Sequence, residues 1–399
     1  MDVAVVGAGL GGLAAAIGLR RAGHEVTVLE RSAEPRETGA GIGIMPNGVH
    51  ALDALGLGGA LRERATPFEA GVARDRLGRP LLTTDHEMLA RYAGAPLVVV
   101  PRRWLHGLLL DTLGTAALRT GRLVEHPREV DGGIELDGSR FDLVVAADGA
   151  SSRLRAALFP DFPGLRGSGE YAARAIAPTA PGIPLVTGEL LDRRTGERFG
   201  VMPMTDGTIY WYATWRADRL TAPDEPAARL DWLRARRADW HPSVAALLAV
   251  TPADAVHVVE TAQLAHPLPA LTSGRIALLG DAGHAMTPDL GQGAGQAFEG
   301  AATLAALCTG IDAAGVPAAL ARYDQLRRPR TSALQREARR ANRMLTLRGP
   351  GALVRDALLH LIPGRVAALA MAPQLRFTPP SPAGTARGRA AGQRSDMGT

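Results

Sequence analysis

Two glycine-rich turns, far apart in the chain, carry the residue types and spacing from which chemistry can be read. Gly7-Ala8-Gly9-Leu10-Gly11-Gly12 opens the sequence directly after the apolar run Val3–Val6. Gly7 permits a tight turn, Gly9 lets the backbone approach a pyrophosphate, and Gly12 lets a helix pack closely on a sheet. A helix starting at Leu10 would turn unpaired N–H groups and a partial positive charge toward phosphates. Glu30 closes the next apolar run, Glu25–Leu29, where a carboxylate can accept from an adenosine ribose, with Arg31 beside it. Such a carboxylate would repel a 2′-phosphate, which disfavours NADP at this site and leaves FAD and NAD open.

The second turn decides between them. Gly280-Asp281-Ala282-Gly283-His284 follows the apolar strand Arg275–Leu279 and runs through Pro288 to Gly291-Gln292-Gly293-Ala294, where a helix should begin. Asp281 can accept from the hydroxyls of a ribityl chain, and the amides of the helix start would face a polarised carbonyl or developing anion. Pro288 makes a rigid bend, while Gly291 and Gly293 leave room for a flat ring against the backbone. The two turns together imply FAD and oxygen chemistry. His284 is read as structural rather than as a general base.

The scaffold that these turns need is legible around them. Val3–Val6, Glu25–Leu29, Phe141–Ala147 and Arg275–Leu279 read as strands of a parallel sheet buried on both faces, with a helix over Leu10–Ala22 completing a right-handed βαβ unit. The fold class is α/β, with a discontinuous Rossmann-like FAD-binding domain over residues 1–67, 101–169 and 270–345. Residues 68–100 and 170–269 form an inserted, mostly antiparallel substrate domain. Within it Phe68–Leu82 and Leu97–Val100 are expected as half-exposed strands, and Leu185–Leu191, Phe199–Met204, Thr208–Trp215 and Ala255–Leu264 as further strands. Helices are expected over Arg103–Thr112, Pro226–Leu248 (one or two) and Ala318–Arg343, with Pro329 allowing a kink. Residues 346–377 form a C-terminal helical segment whose apolar part, Ala352–Leu369, is expected to pack in the core, with a pocket wall or a membrane contact as the alternatives. Residues 378–399, rich in Pro, Gly, Ser and Arg, read as a disordered tail.

Composition excludes several classes. With 399 residues, 46% hydrophobic and 21% charged, the chain suits a soluble globular protein with large cores. Its +5 charge comes from arginine alone, since the sequence has no lysine, and the arginines are scattered among 40 acidic residues. The one dense run, Arg327 to Arg340, reads as a solvated helix face, so no nucleic-acid partner is expected. The single cysteine, Cys308, excludes disulfides and thiolate metal sites, and no metal is expected. No run is long and apolar enough for integral membrane insertion, the N-terminus lacks the cationic start of an export signal, and a cytoplasmic location is expected. A monomer or a homodimer is compatible with the sequence.

Several motifs, in order over about Asp2–Phe377, make the chain similar to the single-component FAD-dependent aromatic hydroxylases, the para-hydroxybenzoate and salicylate hydroxylase group, with related signatures in urate hydroxylases and zeaxanthin epoxidases. The motifs are the glycine fingerprint with Glu30, Arg102 in Arg-Arg-Trp-Leu105, Asp148-Gly149 with Ser152 and Arg155, and Gly280–Gly293. Gly39-Ala40-Gly41-Ile42 and Pro46-Asn47-Gly48 resemble the stretch beneath the flavin. The resemblance implies that Arg102 contacts the ribityl region, with Arg103 an adjacent candidate, and that Asp148, Gly149 and Arg155 serve FAD and NAD(P)H binding. It also implies an NAD(P)H-consuming monooxygenase in which NADH or NADPH binds transiently, which fits the absence of a second dinucleotide motif. O2 would then react as a flavin C4a-hydroperoxide near Pro288–Gly293, placing one oxygen atom on a small electron-rich aromatic or heteroaromatic substrate. Gly295 and Gly300 depart from the Asn or Cys and the Asp of many relatives. Halogenases would need a catalytic lysine, which is missing. Epoxidation of an unsaturated lipid and a reductase without oxygenation are the alternatives.

Substrate-side candidates come from strand alternation. Arg198, Gly200 and Met202 share one face, and Tyr210, Tyr212 and Thr214 share one on the next strand, while Trp211 and Trp215 point to a core against the Pro226–Leu248 helices. The hairpin from Met202 to Tyr210 resembles the one over the flavin in urate-hydroxylase and epoxidase relatives. That likeness suggests Arg198 as the holder of an anionic or enolate substrate and Tyr210 as its hydrogen-bond partner.

Overall fold

The computed structural model describes residues 1–35, 40–68, 71–179, 182, 185–216 and 221–381. Gly39 and most of the expected tail, 382–399, lie outside them. Asp2–Val6 is the hub of a six-stranded sheet and pairs in parallel with Glu25–Leu29 on one side and Leu143–Ala146 on the other. Leu143–Ala146 in turn pairs in parallel with Ile276–Leu278, so chain returning from distant positions completes the sheet. Short apolar strands suit this place because both faces are covered. Val5, Val144 and Leu278 have no exposed surface. The helix Leu10–Arg21 follows the first strand, and the helix Gly293–Cys308 packs on it closely enough that a β-carbon on Gly11 would sit 3.0 Å from the Ala297 Cβ.

A second, seven-stranded sheet runs from the edge strand Pro80–Thr83 through Val72–Asp75, Gly188–Leu191, Arg198–Pro203, Thr208–Arg216 and Leu165–Pro178 to the other edge, His257–Leu264. One face carries Phe199, Trp211 and Trp215 into a core with Leu233 and Leu247 of the helices Pro226–Arg236 and Pro242–Val250. Alternation placed the tryptophans correctly. The opposite face carries Arg198, Met202, Tyr210 and Tyr212.

Three expectations are corrected. Leu97–Pro101 is buried throughout rather than half-exposed, because it is the central strand of a separate three-stranded sheet between Gly41–Ile44 and Thr66–Phe68. The arginine run is only in part a solvated face: Arg336 and Arg340 are exposed, but Arg327 is 2% exposed, and Arg339 donates to Gln263 Oε1 at 2.9 Å and reaches the Leu264 carbonyl. The C-terminal apolar stretch folds as helices Gly349–Leu361 and Gly364–Met371, but most of its large side chains point outward. The helix Val316–Leu345 runs unbroken through Pro329.

Candidate active site

The first turn adopts the geometry that its glycines allow. Gly7 has φ +105°, and a β-carbon there would lie 2.4 Å from the Ala147 carbonyl oxygen; one on Gly12 would lie 2.0 Å from that of Gly7. Around Gly9, by contrast, nothing lies within 4 Å of a β-carbon position, so the backbone faces open space where the helix Leu10–Arg21 begins without a side-chain cap. Glu30 spans the turn, accepting from Ala8 N and Ser32 N, each at 2.8 Å. Gly7, Gly9, Glu30, Arg31, Asp148 and Gly149 line a single cleft. His106, which sequence reading passed over, holds the turn from behind, with Nε2 2.8 Å from the Ala8 carbonyl. It stands four residues after Arg102 on the helix Arg102–Leu113, and that spacing was the available signal.

Asp148 and Arg155 bind protein. Asp148 accepts from Ser152 Oγ at 2.6 Å and from Arg153 N at 2.8 Å, capping the short helix Arg153–Leu158. The buried Arg155 guanidinium donates to the carbonyls of Ala150 at 2.7 Å and Ala282 at 3.1 Å. It is a strut that ties the Asp-Gly loop to the Asp281 turn.

At the second turn Gly280 has φ +63° and swings the chain into the helical turn Asp281–His284. Asp281 keeps exposed surface although the surrounding protein is close; desolvation pushes its carboxyl up, against the pull of Arg102 and Arg155. Arg102 is anchored through its backbone N–H to the Ala40 carbonyl at 2.9 Å. Pro288–Leu290 forms one 3-10 turn ending at Gly291, φ +61°, beside Met45. Gln292 is buried, bonding Asn47, while Gly293 opens its helix with nothing within 4 Å of a β-carbon position; Ala294 is half-buried next to it. Two packed helices therefore begin at uncrowded glycines, with an exposed carboxylate, Asp281, on the turn Asp281–His284. The residues fit a dinucleotide that carries a flat ring system.

Over this turn stands the sheet face with Met202, Tyr210 and Tyr212. Tyr210 packs where Gly41 leaves space: a β-carbon on Gly41 would fall 2.5 Å from the Tyr210 Cβ. Burial pushes the Tyr210 phenol above its usual range, with Arg174 and Arg102 pulling the other way, so it is a protonated donor near neutral pH. Arg198 is 4% exposed and meets Asp289 at 2.8 Å, Glu170 at 3.2 Å and Glu189 at 3.3 Å. Tyr212 donates to the same Glu189 oxygen at 2.7 Å. The expectation that Arg198 holds an anionic substrate is not carried forward, because three carboxylates already occupy and outweigh its charge.

The FAD binding domain family matches residues 1–338. The chain belongs to this family. It is 34% identical over 337 residues to the aurachin C monooxygenase/isomerase of Stigmatella aurantiaca, covering 82% of this chain and 85% of that one. It is 33% identical over 353 residues to the FAD-dependent urate hydroxylase of Klebsiella oxytoca, covering 85% and 89%. The structure of Klebsiella pneumoniae HpxO complexed with FAD and uric acid superposes with a TM-score of 0.86 at 28% identity, covering 94% and 96%. The chain is thus a FAD-dependent monooxygenase of the aromatic-hydroxylase type.

In this flavoprotein the departures from its relatives have local reasons. A β-carbon at Gly300 would come within 2.5 Å of Leu279, and one at Gly295 within 3.1 Å of Asn47 Nδ2. Asn47 is part of a buried network under the flavin-side turn that sequence reading did not assign. It donates to Glu299 at 2.7 Å, as do Gln296 at 2.9 Å and Arg330 at 2.7 Å, and Arg327 pairs with Glu299 as well. Burial alone would raise the Glu299 carboxyl, but Arg330 and Arg327 hold it below the usual range. His284 lies above this network with its Nδ1 unpartnered. Desolvation, then the Arg327 charge, pushes its imidazole down to about 3, so it is neutral in the folded protein. An unfolded chain takes up that proton below its ordinary 6.5, whereas the folded one does not until about 3. Stability is therefore lost as pH falls through that window, by about 2 kcal/mol at about pH 5 from this group. His284→Asn should flatten the acid limb of urea midpoint against pH by that amount; an identical limb would remove His284 from the account.

Among the described residues no group of His, Cys, Asp or Glu could hold a metal ion, and no single helix is long and apolar enough to cross a membrane.

Proposed function

We propose that this monooxygenase hydroxylates a neutral, electron-rich heteroaromatic ring rather than a ring bearing a carboxylate. The observation that carries the reading is the Arg198 cluster: one guanidinium faces Glu170, Glu189 and Asp289. Asp289 belongs to the Pro288–Leu290 turn expected to face the flavin. Such an edge is net negative, disfavours an anion and offers acceptors to ring N–H or O–H groups. The wall beside it is apolar and polarisable, with Met202, Tyr210, Ile176 and Met45 in one cluster. The relatives named for urate and aurachin C are consistent with a heteroaromatic substrate.

Bound FAD supplies electron acceptance from NADH or NADPH and activation of O2 for transfer of one oxygen atom. The chain supplies the rest. Gly9 and Leu10 would present helix-terminal amides to the pyrophosphate, Glu30 would serve the ribose, Asp281 with Arg102 would hold the ribityl chain, and the turn from Pro288 to Gly293 would lie beside the ring. Tyr210 keeps its phenolic proton and would donate a hydrogen bond to a substrate oxygen or nitrogen, while the apolar cluster excludes water. NAD(P)H oxidation and O2 uptake should be stimulated more by purines and quinolones than by hydroxybenzoates. Preference for hydroxybenzoates would overturn the charge argument, and oxidation without O2 uptake would indicate a reductase. Tyr210→Phe should lower kcat/KM about tenfold with flavin content unchanged, the value of one lost hydrogen bond.

A further inference from the structure

The C-terminal helices have their apolar side chains on the wrong side for a core. Nine of the fourteen large hydrophobic residues exposed among the described residues lie between Met344 and Leu369. On the helix Gly349–Leu361, Val354, Leu358 and Leu361 are 60%, 58% and 74% exposed and follow i, i+4, i+7 spacing along one stripe. The buried side of that helix instead holds Arg355, tied to the Leu345 carbonyl at 2.7 Å and to Asp356. Beyond the break, Ile362, Val366 and Leu369 extend the exposed surface onto the helix Gly364–Met371. The two helices meet at 97°, so the apolar surface wraps a corner instead of forming a span.

Charge selects the occupant. Residues 340–399 contain nine arginines and two acids, a net +7, whereas the whole chain carries +5. Arg340, Arg343 and Arg365 are exposed around the patch. An isologous pairing of two copies would set these like charges face to face. An anionic lipid surface complements them, and an apolar stripe rimmed by arginine is the composition of a helix lying in the bilayer interface. We propose that the helix pair Gly349–Met371 docks the enzyme on anionic membranes. The opposite side of its second helix meets the pocket: Ala368, Met371 and Ala372 share a cluster with Met202 and Tyr210. The docked face is thus the outer wall of the substrate chamber.

The test uses the flavin-loaded full-length chain floated with vesicles of phosphatidylglycerol and phosphatidylcholine, or of phosphatidylcholine alone. Flotation should be about tenfold greater with the anionic vesicles, as several arginines near a charged surface imply. Leu358→Asp/Leu361→Asp should stay in solution with its flavin spectrum and melting curve unchanged, both sites being exposed. In a second variant, Leu361→Trp, emission should shift to the blue on adding anionic vesicles. Wild-type protein that stays in solution with both vesicles overturns the proposal, as does a double variant that floats like wild type. So does a wild-type dimer that the double variant converts to monomer, which would give the patch to a second copy. No substrate is needed, so these results are independent of the ring-chemistry reading.

Discussion

Asp281→Ala should purify colourless. Asp281 is exposed, so its removal opens no cavity in the core. What disappears is a carboxylate that feels the charges of Arg102 and Arg155 and is proposed to accept from the hydroxyls of the ribityl chain. Hydrogen bonds to a charged acceptor contribute about 1.5–3 kcal/mol each, so FAD affinity should fall roughly 10- to 100-fold. NAD(P)H oxidation should vanish in protein freed of excess cofactor and return as FAD is titrated in, while the melting curve of the apoprotein matches that of wild-type apoprotein. Asp281→Asn, still an acceptor but uncharged, should fall between. A flavin-to-protein absorbance ratio equal to wild type would show that the second turn does not hold the cofactor.

Glu299→Ala should be the most destabilising of the polar substitutions considered. Glu299 is fully buried and receives Arg327, Arg330, Asn47 and Gln296. Removing it strands the 2% exposed Arg327 without a countercharge, a loss of about 3–5 kcal/mol. The effect should appear as a lower urea midpoint with unchanged slope. Glu299→Gln, which keeps acceptor oxygens, should lose less. Because the network underlies Gln292 and hence the flavin-side turn, the alanine variant should also release FAD at lower temperature. A wild-type midpoint would show that the arginines find other partners.

The nucleotide half of the fold was readable because its signals are local. Val3–Val6 is too short and too uniformly apolar for anything but a covered strand, Glu25–Leu29 follows it after one helix length, and Gly7 and Gly12 carry steric demands that the backbone meets. The longest strand, Leu165–Pro178, escaped notice. Its Gly167, Ser168 and Gly169 interrupt the two-residue period at the point where register shifts, and its alanines give little contrast between faces. Arg198 illustrates a different limit. Its partners come from positions 170, 189 and 289, and no window of sequence contains them together. Arginine runs and apolar helices failed for the same reason in opposite directions. Arg327 is buried and Leu361 exposed because each helix's orientation is set by what it packs against, which periodicity does not encode.

Cys308 is fully enclosed, with burial pushing its thiol up to about 12. With no other cysteine and no lysine in the chain, maleimides and amine-directed reagents find almost nothing to modify. A thiol introduced at a chosen exterior position would therefore be the sole labelling handle without prior engineering, and a spin label or fluorophore there would report depth, distance or rotation for one site at a time.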